Sequence, residues 1–296
     1  MVAVLVCVTV LVFAFALTRL SGDLAISIGG ANATPADIEV IRKAYGLDRP
    51  VIEQFFDWVG RAITGDFGRS YFYHERVAVL VGDRLPITLT LGLVGLSIAL
   101  CAALPLGVIA AMNEGKAIDR AISLVALLGQ AMPSFWLGLL LMITFGLKLG
   151  WLPISGTGSW QHFVMPGIVL AFSAIPALMR LTRAGMIDAL NADYIRTARA
   201  KGLSRTSIVL KHAARNAAMP VVSIAAVQLG FMLGGSIVIE TVFALHGVGF
   251  LAWESISKND FPTVQAVVLL LAIIYTVLTL LADVLNAVLD PRLRAS

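Results

Sequence analysis

Runs of apolar residues recur along this chain, separated by short polar connections. About 20 such residues are enough to cross a hydrocarbon layer roughly 30 Å thick as a helix. Six runs predict six spans: 1–17, 87–111, 121–147, 163–179, 221–242 and 264–289. The second holds no ionisable residue, and the fourth is short and interrupted by Pro166 and Pro176. Between the first two runs lies a mixed-charge segment, 18–86. Within it Ile52, Phe55, Phe56, Val59 and Ile63 follow helical spacing between Pro50 and Gly65. This predicts an amphipathic helix that packs on the outer membrane face or on the bundle. The fold class is all-α and polytopic: a first helix 1–17, a segment 18–86, a five-helix core 87–289 and a tail 290–296.

Orientation follows from lysine and arginine in the short connections. Arg180, Arg183, Arg196, Arg199, Lys201, Arg205, Lys211 and Arg215 lie between spans four and five, against only Asp188 and Asp193. Lys116 and Arg120 join spans two and three, and Arg292 and Arg294 lie in the tail. The loop 150–162 has neither lysine nor arginine, and the fifth-to-sixth loop has only Lys258. The basic loops and both termini therefore face the cytoplasm, and 18–86 lies outside. Ala14-Phe15-Ala16 has the small residues of a cleavage site. A signal peptide, however, carries a basic stretch before its apolar core, and this chain begins Met1-Val2-Ala3. An uncleaved span is expected.

The cytoplasmic segment 180–220 is too long for a turn and too regular for a linker. Met186, Ile187, Leu190, Tyr194, Ile195 and Ala198 fall on one helical face. Gly202 suits the left-handed end of that helix, and Ser204 suits the cap of a second one reaching about Ala218. Pro220 then marks the entry to span five. Such a helix either lies on the anionic inner leaflet or docks a soluble partner.

Composition narrows the classes. Of 296 residues, 58% are apolar and only 14% charged, against roughly 25% charged in a soluble domain. A disordered chain, a nucleic-acid module and a disulfide scaffold are excluded. The basic excess is already explained by topology. Cys7 and Cys101 sit inside apolar runs and read as small packing residues. No G-x-x-x-x-G-K-[ST] loop is present; Gly115-Lys116 lacks the upstream glycine and is followed by Ala117. Lys148 and Glu240 fall at span ends, where side chains reach the interface. Asp283, deeper in span six, is the one candidate for an ion-coupled carrier. His162, His212 and His246 fall in predicted loops and His74 in the outer segment, with no metal-ligand spacing. No catalytic or metal-binding residue is therefore named. The pattern is that of a translocation path whose motor lies elsewhere.

Several motifs resemble one family. Asp193-Tyr-Ile-Arg-Thr-Ala-Arg-Ala-Lys-Gly-Leu-Ser204, followed by Leu210-Lys-His-Ala-Ala-Arg-Asn-Ala-Ala-Met-Pro220, is similar to the cytoplasmic signature of ABC-importer permeases. The nearest branch is the one for dipeptides and oligopeptides, with its nickel and glutathione relatives. The wider signature begins Glu-Ala-Ala, with glycine four residues after the last alanine. Here those positions are Arg196, Thr197, Ala198 and Gly202, so no acid-based contact is carried over. Tyr45-Gly-Leu-Asp-Arg-Pro50 and Gly65-Asp-Phe-Gly-Arg-Ser70 resemble the outer segment of the first permease subunit of peptide systems. Glu240-Thr-Val-Phe243, Gly247-Val-Gly249 and Asp260-Phe-Pro262 resemble its fifth-to-sixth loop, with His246 where the branch usually has proline. Asp290-Pro291-Arg292 resembles its tail. The N-terminus departs, since relatives have a basic lead-in.

The resemblance implies the type I ABC-importer permease fold, six transmembrane helices with a cytoplasmic coupling loop, in a bacterial inner membrane. It implies a second homologous permease subunit, two ATP-binding subunits that bind ATP and Mg²⁺, and an extracytoplasmic solute-binding protein. No cofactor and no nucleic acid belong to this chain. The helix over 188–201 would be the coupling helix. Its implied coupling residues are Asp193, Tyr194, Ile195, Arg196, Thr197, Ala198, Arg199, Lys201 and Gly202, with Ile195, Ala198 and the basic residues as the contact. Dipeptides or oligopeptides are the implied cargo, with nickel complexes or glutathione as alternatives. Gly92, Gly95, Gly230, Gly234 and Gly235 are expected to serve close helix packing. No substrate-contact residue is named.

Overall fold

A computed structural model of the chain describes residues 2–20, 23–30 and 33–289. Its helices in order are α1 (Val2–Leu20), α2 (Leu24–Gly29), α3 (Pro35–Ala44), α4 (Val51–Ile63), α5 (Val77–Met112), α6 (Ala117–Ala131), α7 (Ser134–Leu141), α8 (Val164–Asn191), α9 (Asp193–Ala200), α10 (Arg205–Ser207), α11 (Ala214–Val242), α12 (Val248–Ser257) and α13 (Phe261–Leu289). Helix α7 continues as a π-helical stretch, Met142–Lys148, and another, Ile208–Ala213, carries α10 into α11. The described residues form no strand beyond a lone bridge between Arg69 and Arg76. Apolar runs in lipid leave helices as the way to satisfy every backbone group within one segment. The tail 290–296, with its Asp290-Pro291-Arg292 motif, lies outside the described residues.

Four helical stretches among the described residues are long and apolar enough to cross a membrane: Val77–Met112, Trp160–Asn191, Arg205–Val242 and Phe261–Val288. The third expected span is broken instead of straight. Ala117–Ala131 and Ser134–Lys148 meet at 99° and make a fifth crossing only if read as one. Proline restricts the residue before it to extended backbone, and Met132, preceding Pro133, takes φ −78° and ψ 130°. The fourth span runs well beyond 179, to Asn191. Pro220 lies inside α11 and does not mark its start. A packed membrane span can carry such a proline where its neighbours re-satisfy the freed backbone group.

The chain divides into two compact units, Met1–Thr88 with His246–Thr276, and Leu89–Leu245 with Val277–Ser296. The first unit holds the outer segment. The expected amphipathic helix forms as α4, and its apolar stripe divides in two. Phe55 and Val59 pack with Trp58 against Phe15 of α1, whereas Ile52, Phe56 and Ile63 remain exposed. A second core joins Val77, Leu80 and Val81 of α5 to Val248 and Leu251 of α12 and Ala266 and Val267 of α13. Asp260, fully buried, ties two of the sequence motifs together. It accepts hydrogen bonds from Ser70 Oγ at 2.5 Å, Tyr71 N at 2.9 Å and Thr263 Oγ1 at 2.7 Å. His246 stacks edge-on against Phe250, ring centroids 4.8 Å apart.

In the second unit α5, α8 and α11 approach closely through glycine. A Cβ on Gly107 would stand 2.6 Å from Cβ of Thr182 and 2.8 Å from the Met179 carbonyl, so only glycine fits there. Gly92 and Gly95 meet Leu233 and Leu170 in the same way, but Gly234 and Gly235 face open space and do not serve close packing. Glu240 corrects a sequence expectation. It does not reach an interface; it is fully buried, and its carboxylate accepts the Ser236 hydroxyl at 2.8 Å. The turn that sets Leu245 N on Glu240 O at 2.9 Å holds its backbone. His212 lies in a π-helical turn instead of a loop.

Replacing Asp260 with alanine strips the acceptor from three donors at once. The expected loss is about 3 kcal/mol of stability, read as a lower thermal midpoint of the purified protein, with Asp260→Asn losing less.

Candidate functional site

The basic segment between α8 and α11 forms a compact device around α9. Helix α8 stops because Ala192 takes extended backbone, φ −71° and ψ 152°. The chain restarts at once at Asp193, whose carboxylate sits in the first turn of α9, where the helix dipole favours negative charge. Two turns later α9 ends in a Schellman motif. Gly202 takes φ +77°, its N–H donates to Arg199 O at 3.0 Å, and Leu203 N–H donates to Ala198 O at 3.3 Å. A Cβ at Gly202 would meet nothing within 4 Å, so glycine is required there by conformation and not by space. Ser204 then caps the next helix through Ser207 N.

The inner face of α9 is an anchor. Ile195 is fully buried and Ala198 nearly so. They pack with Met186 and Ala189 of α8, Ala111 of α5, and Ile208, Val209, Ala213 and Ala217 beyond the turn. Asn216 Nδ2 donates to the Tyr194 hydroxyl at 2.8 Å, a polar tie from α11. Asp193, Arg196, Thr197, Arg199, Lys201 and Gly202 face solvent. The Arg196–Asp193 pair, 3.3 Å apart with both side chains open to water, adds little stability. The one expected helix over 188–201 is therefore two helices, broken at Ala192. Of the named coupling residues, Ile195 and Ala198 are buried inside the chain, Arg196 pairs with Asp193, and Arg199 Nη2 donates to Leu190 O at 3.5 Å. Apolar residues at i and i+3 share one helical face, and here that face is buried.

A second feature was not legible in the sequence. Arg183, on α8 two turns before its end, clasps Asp119 at the start of α6 with Nε to Oδ1 at 2.6 Å and Nη2 to Oδ2 at 2.7 Å. The Asp119 side chain is 7% exposed and that of Arg183 29%. Gly115 N adds a third bond to the carboxylate at 3.0 Å. This fork-to-fork geometry fixes orientation as well as distance. It fastens the turn between α5 and α6 to the helix that leads into α9. A cavity of about 590 Å³ lies beside them, with Lys116, Arg199 and Arg205 on its rim and Ile187, Leu190 and Ile208 on its floor. Asp283, the rival ion-coupling candidate, is exposed near the end of α13.

Known proteins resemble this chain over most of its length. Residues 103–295 match the family described as "Binding-protein-dependent transport system inner membrane component". Residues 1–92 match the N-terminal region of such membrane components. The glutathione transport system permease protein GsiC of Escherichia coli (strain K12) is 41% identical over 287 residues, 97% of this chain and 94% of that protein. GsiC of Shigella dysenteriae serotype 1 matches to the same extent. Among solved structures, the MetNI methionine ABC transporter in an inward-facing conformation aligns with a TM-score of 0.60 at 20% identity, over 71% of this chain and 96% of that one. An amino acid ABC transporter with histidines aligns at 0.51 and 20% identity. These structures share the fold.

A double-mutant cycle on Asp119→Ala and Arg183→Ala should give a coupling energy of about 2 kcal/mol in thermal unfolding of the purified protein. Additive single effects would show that the pair does not hold the loop.

Proposed function

The chain belongs to the family of binding-protein-dependent transport system inner membrane components, and from that premise we propose that α9 is the lever through which an ATP-hydrolysing partner works the gate. The protein is a permease subunit of an ATP-binding-cassette importer, a transport component and not an enzyme. It is a multi-pass membrane protein. In this reading both termini and the α9 segment face the cytoplasm, a second homologous permease completes the pathway, and two ATP-binding subunits sit beneath. A solute-binding protein delivers cargo from outside. The cargo is a short peptide, and glutathione, which the GsiC relatives transport by name, is of that class.

The observation that carries the proposal is the division of α9 into two faces. A lever must be fixed on one side and free on the other. Ile195, Ala198 and the Asn216–Tyr194 bond fix the inner face. Arg196, Thr197, Arg199 and Lys201 present the outer one, and they form the docking contact. The helix is only eight residues long and bounded at both ends by backbone that is not helical, so it moves as a block. When the ATPase pair closes on ATP, displacement of α9 passes into α8 through the shared core. It passes into the α5–α6 turn through the Arg183 clasp. Closure drives the gate only because the docked partner binds the two states of the permease with different free energies.

Gly202→Val should abolish uptake while the complex still assembles. A left-handed backbone costs a non-glycine residue roughly 1–2 kcal/mol, more when β-branched, and the Schellman turn would re-form elsewhere. Normal transport by this variant would sink the proposal. Arg196→Glu combined with Lys201→Glu should leave thermal stability within about 0.5 kcal/mol and remove the ATP-binding subunits from the purified complex. Partners unable to hydrolyse ATP should stop import, and collapse of the ion gradient should not.

A further inference from the structure

Within the outer unit a cavity of about 1180 Å³ lies among the end of α1, the α3–α4 turn, α4, the 66–74 segment and the first turn of α13. Neither helix packing nor coupling to an ATPase accounts for it. Its described wall carries Arg19, Lys43, Arg49, Arg61 and Arg69 against Asp48, Asp57 and Asp66. Arg49 is paired with Asp57 at 2.7 Å, and Asp66 accepts Gly68 N at 3.0 Å. With the Arg49–Asp57 pair set aside, four cationic side chains line the space against Asp48 and Asp66. A concave wall with an excess of one sign concentrates ions of the other.

Arg19 sharpens the point. Its Nη2 donates to Gln54 Oε1, and its guanidinium lies over the Phe15 ring, 5.2 Å from the centroid. Its Nε is buried and has no acceptor. A buried guanidinium N–H without a partner is unfavourable, and such orphans in folded proteins call for an explanation. Tyr71 lines the same cavity, and the charges of Arg19 and Arg61 act to lower its phenol pKa. Burial outweighs them and pushes it up to about 12, so the hydroxyl keeps its proton and stays a neutral donor. Two guanidinium forks and a phenol, with the aromatic faces of Phe15 and Trp58 beside them, suit a planar carboxylate on an amphipathic body. The volume exceeds that of most tight small-molecule pockets, roughly 300–1,000 Å³. It suits a vestibule that holds its guest weakly.

We propose that this cavity is a binding site for small organic carboxylates of short-peptide size, with the carboxylate received by Arg19, Arg61 and Tyr71. The identification of that guest with transported cargo rests on the permease reading above; the site itself does not. The tie between Gln265 Nε2 and Thr18 Oγ1, 2.9 Å, joins the wall formed by α1 to that formed by α13, and so shapes the site from within the unit.

The test uses the whole transporter in lipid nanodiscs, without its binding protein, and saturation-transfer NMR, which reads weak binding. The probes are trialanine and trialanine amide. The wild type should transfer saturation to the free acid at least threefold more strongly than to the amide. Arg61→Gln, at an exposed position that does not threaten folding, should reduce the acid to the level of the amide. Arg42→Gln, at a cation outside the cavity that pairs with Asp23, should change nothing. No transfer to the acid in the wild type, equal transfer to acid and amide, or an unaltered Arg61→Gln signal would each overturn the proposal. The ATP dependence of uptake is a separate measurement. If uptake did not need ATP, the lever reading would fail while the binding result stood.

Discussion

The seating of Ile195 in the core between α8 and the α10–α11 stretch is the contact on which the architecture around α9 turns. Burying one isoleucine side chain stabilises by about 2–3 kcal/mol, far less than a docked ATPase could exert through a whole interface. The contact nonetheless decides which face of an eight-residue helix is available. With Ile195 and Ala198 inside, the basic residues point outward, and a helix that would otherwise tumble is presented in one orientation. Leaving either end helical would defeat this. Continuation through Ala192 would make α9 the tail of a long α8, and continuation past Gly202 would merge it with α10. The extended Ala192 and the left-handed Gly202 cut a rigid block out of what would be one long rod.

The same principle explains what could be read from the sequence and what could not. The inward stripe Met186, Ile195 and Ala198, the glycine stop and the serine cap all act within a few residues, so periodicity and cap chemistry reveal them. The break at Ala192 has no such marker. Alanine is the best helix former, and the kink is imposed by packing that seats Ile195 beside Ile208 and Ala213. Pro220 misled in the opposite sense. In water a proline ends or kinks a helix, but in a packed span neighbouring helices and a π-helical adjustment keep it going. Pro133 was the reverse case, an unremarked residue in an apolar run that turns the chain by 99°. The Arg183–Asp119 clasp joins residues 64 apart, and nothing local in either helix announces it.

Buried charge shows where the hydropathy argument thins out. Glu240 lies in an apolar helix and was expected to reach the interface, yet it is enclosed and hydrogen-bonded to Ser236. A carboxylate so placed is costly unless its oxygens are satisfied. Its place four residues after Ser236, with the turn Phe243–Leu245 folded back onto its backbone, gives one acceptor–donor match inside the helix itself. Ala244 takes φ +50° in that turn, a conformation usually left to glycine. Asp260 solves the same problem in the outer unit by gathering three donors, two of them from the Gly65–Ser70 neighbourhood. Two motifs nearly 200 residues apart are thus one structure: the turn after α4 supplies the donors and the start of α13 supplies the acceptor.

These pieces assign different physics to the two units. In the second, small residues bring α5, α8 and α11 into contact so close that a methyl group on Gly107 would collide with Thr182. A core packed that tightly is bistable more than elastic, which is what a gate worked by a short lever requires. Gly234 and Gly235 break the pattern, since open space faces them and no neighbour claims the room they leave. In the first unit the helices enclose space instead of excluding it, and the wall of that space is polar and cationic. On the proposed reading, a path that accepts varied short peptides cannot coordinate each side chain. It can hold what they share, a terminal carboxylate, provided the hold is weak and lies outside the moving core. Strong recognition inside the packed helices would resist the displacement that, in the proposed reading, the Gly202 turn and the Arg183 clasp transmit.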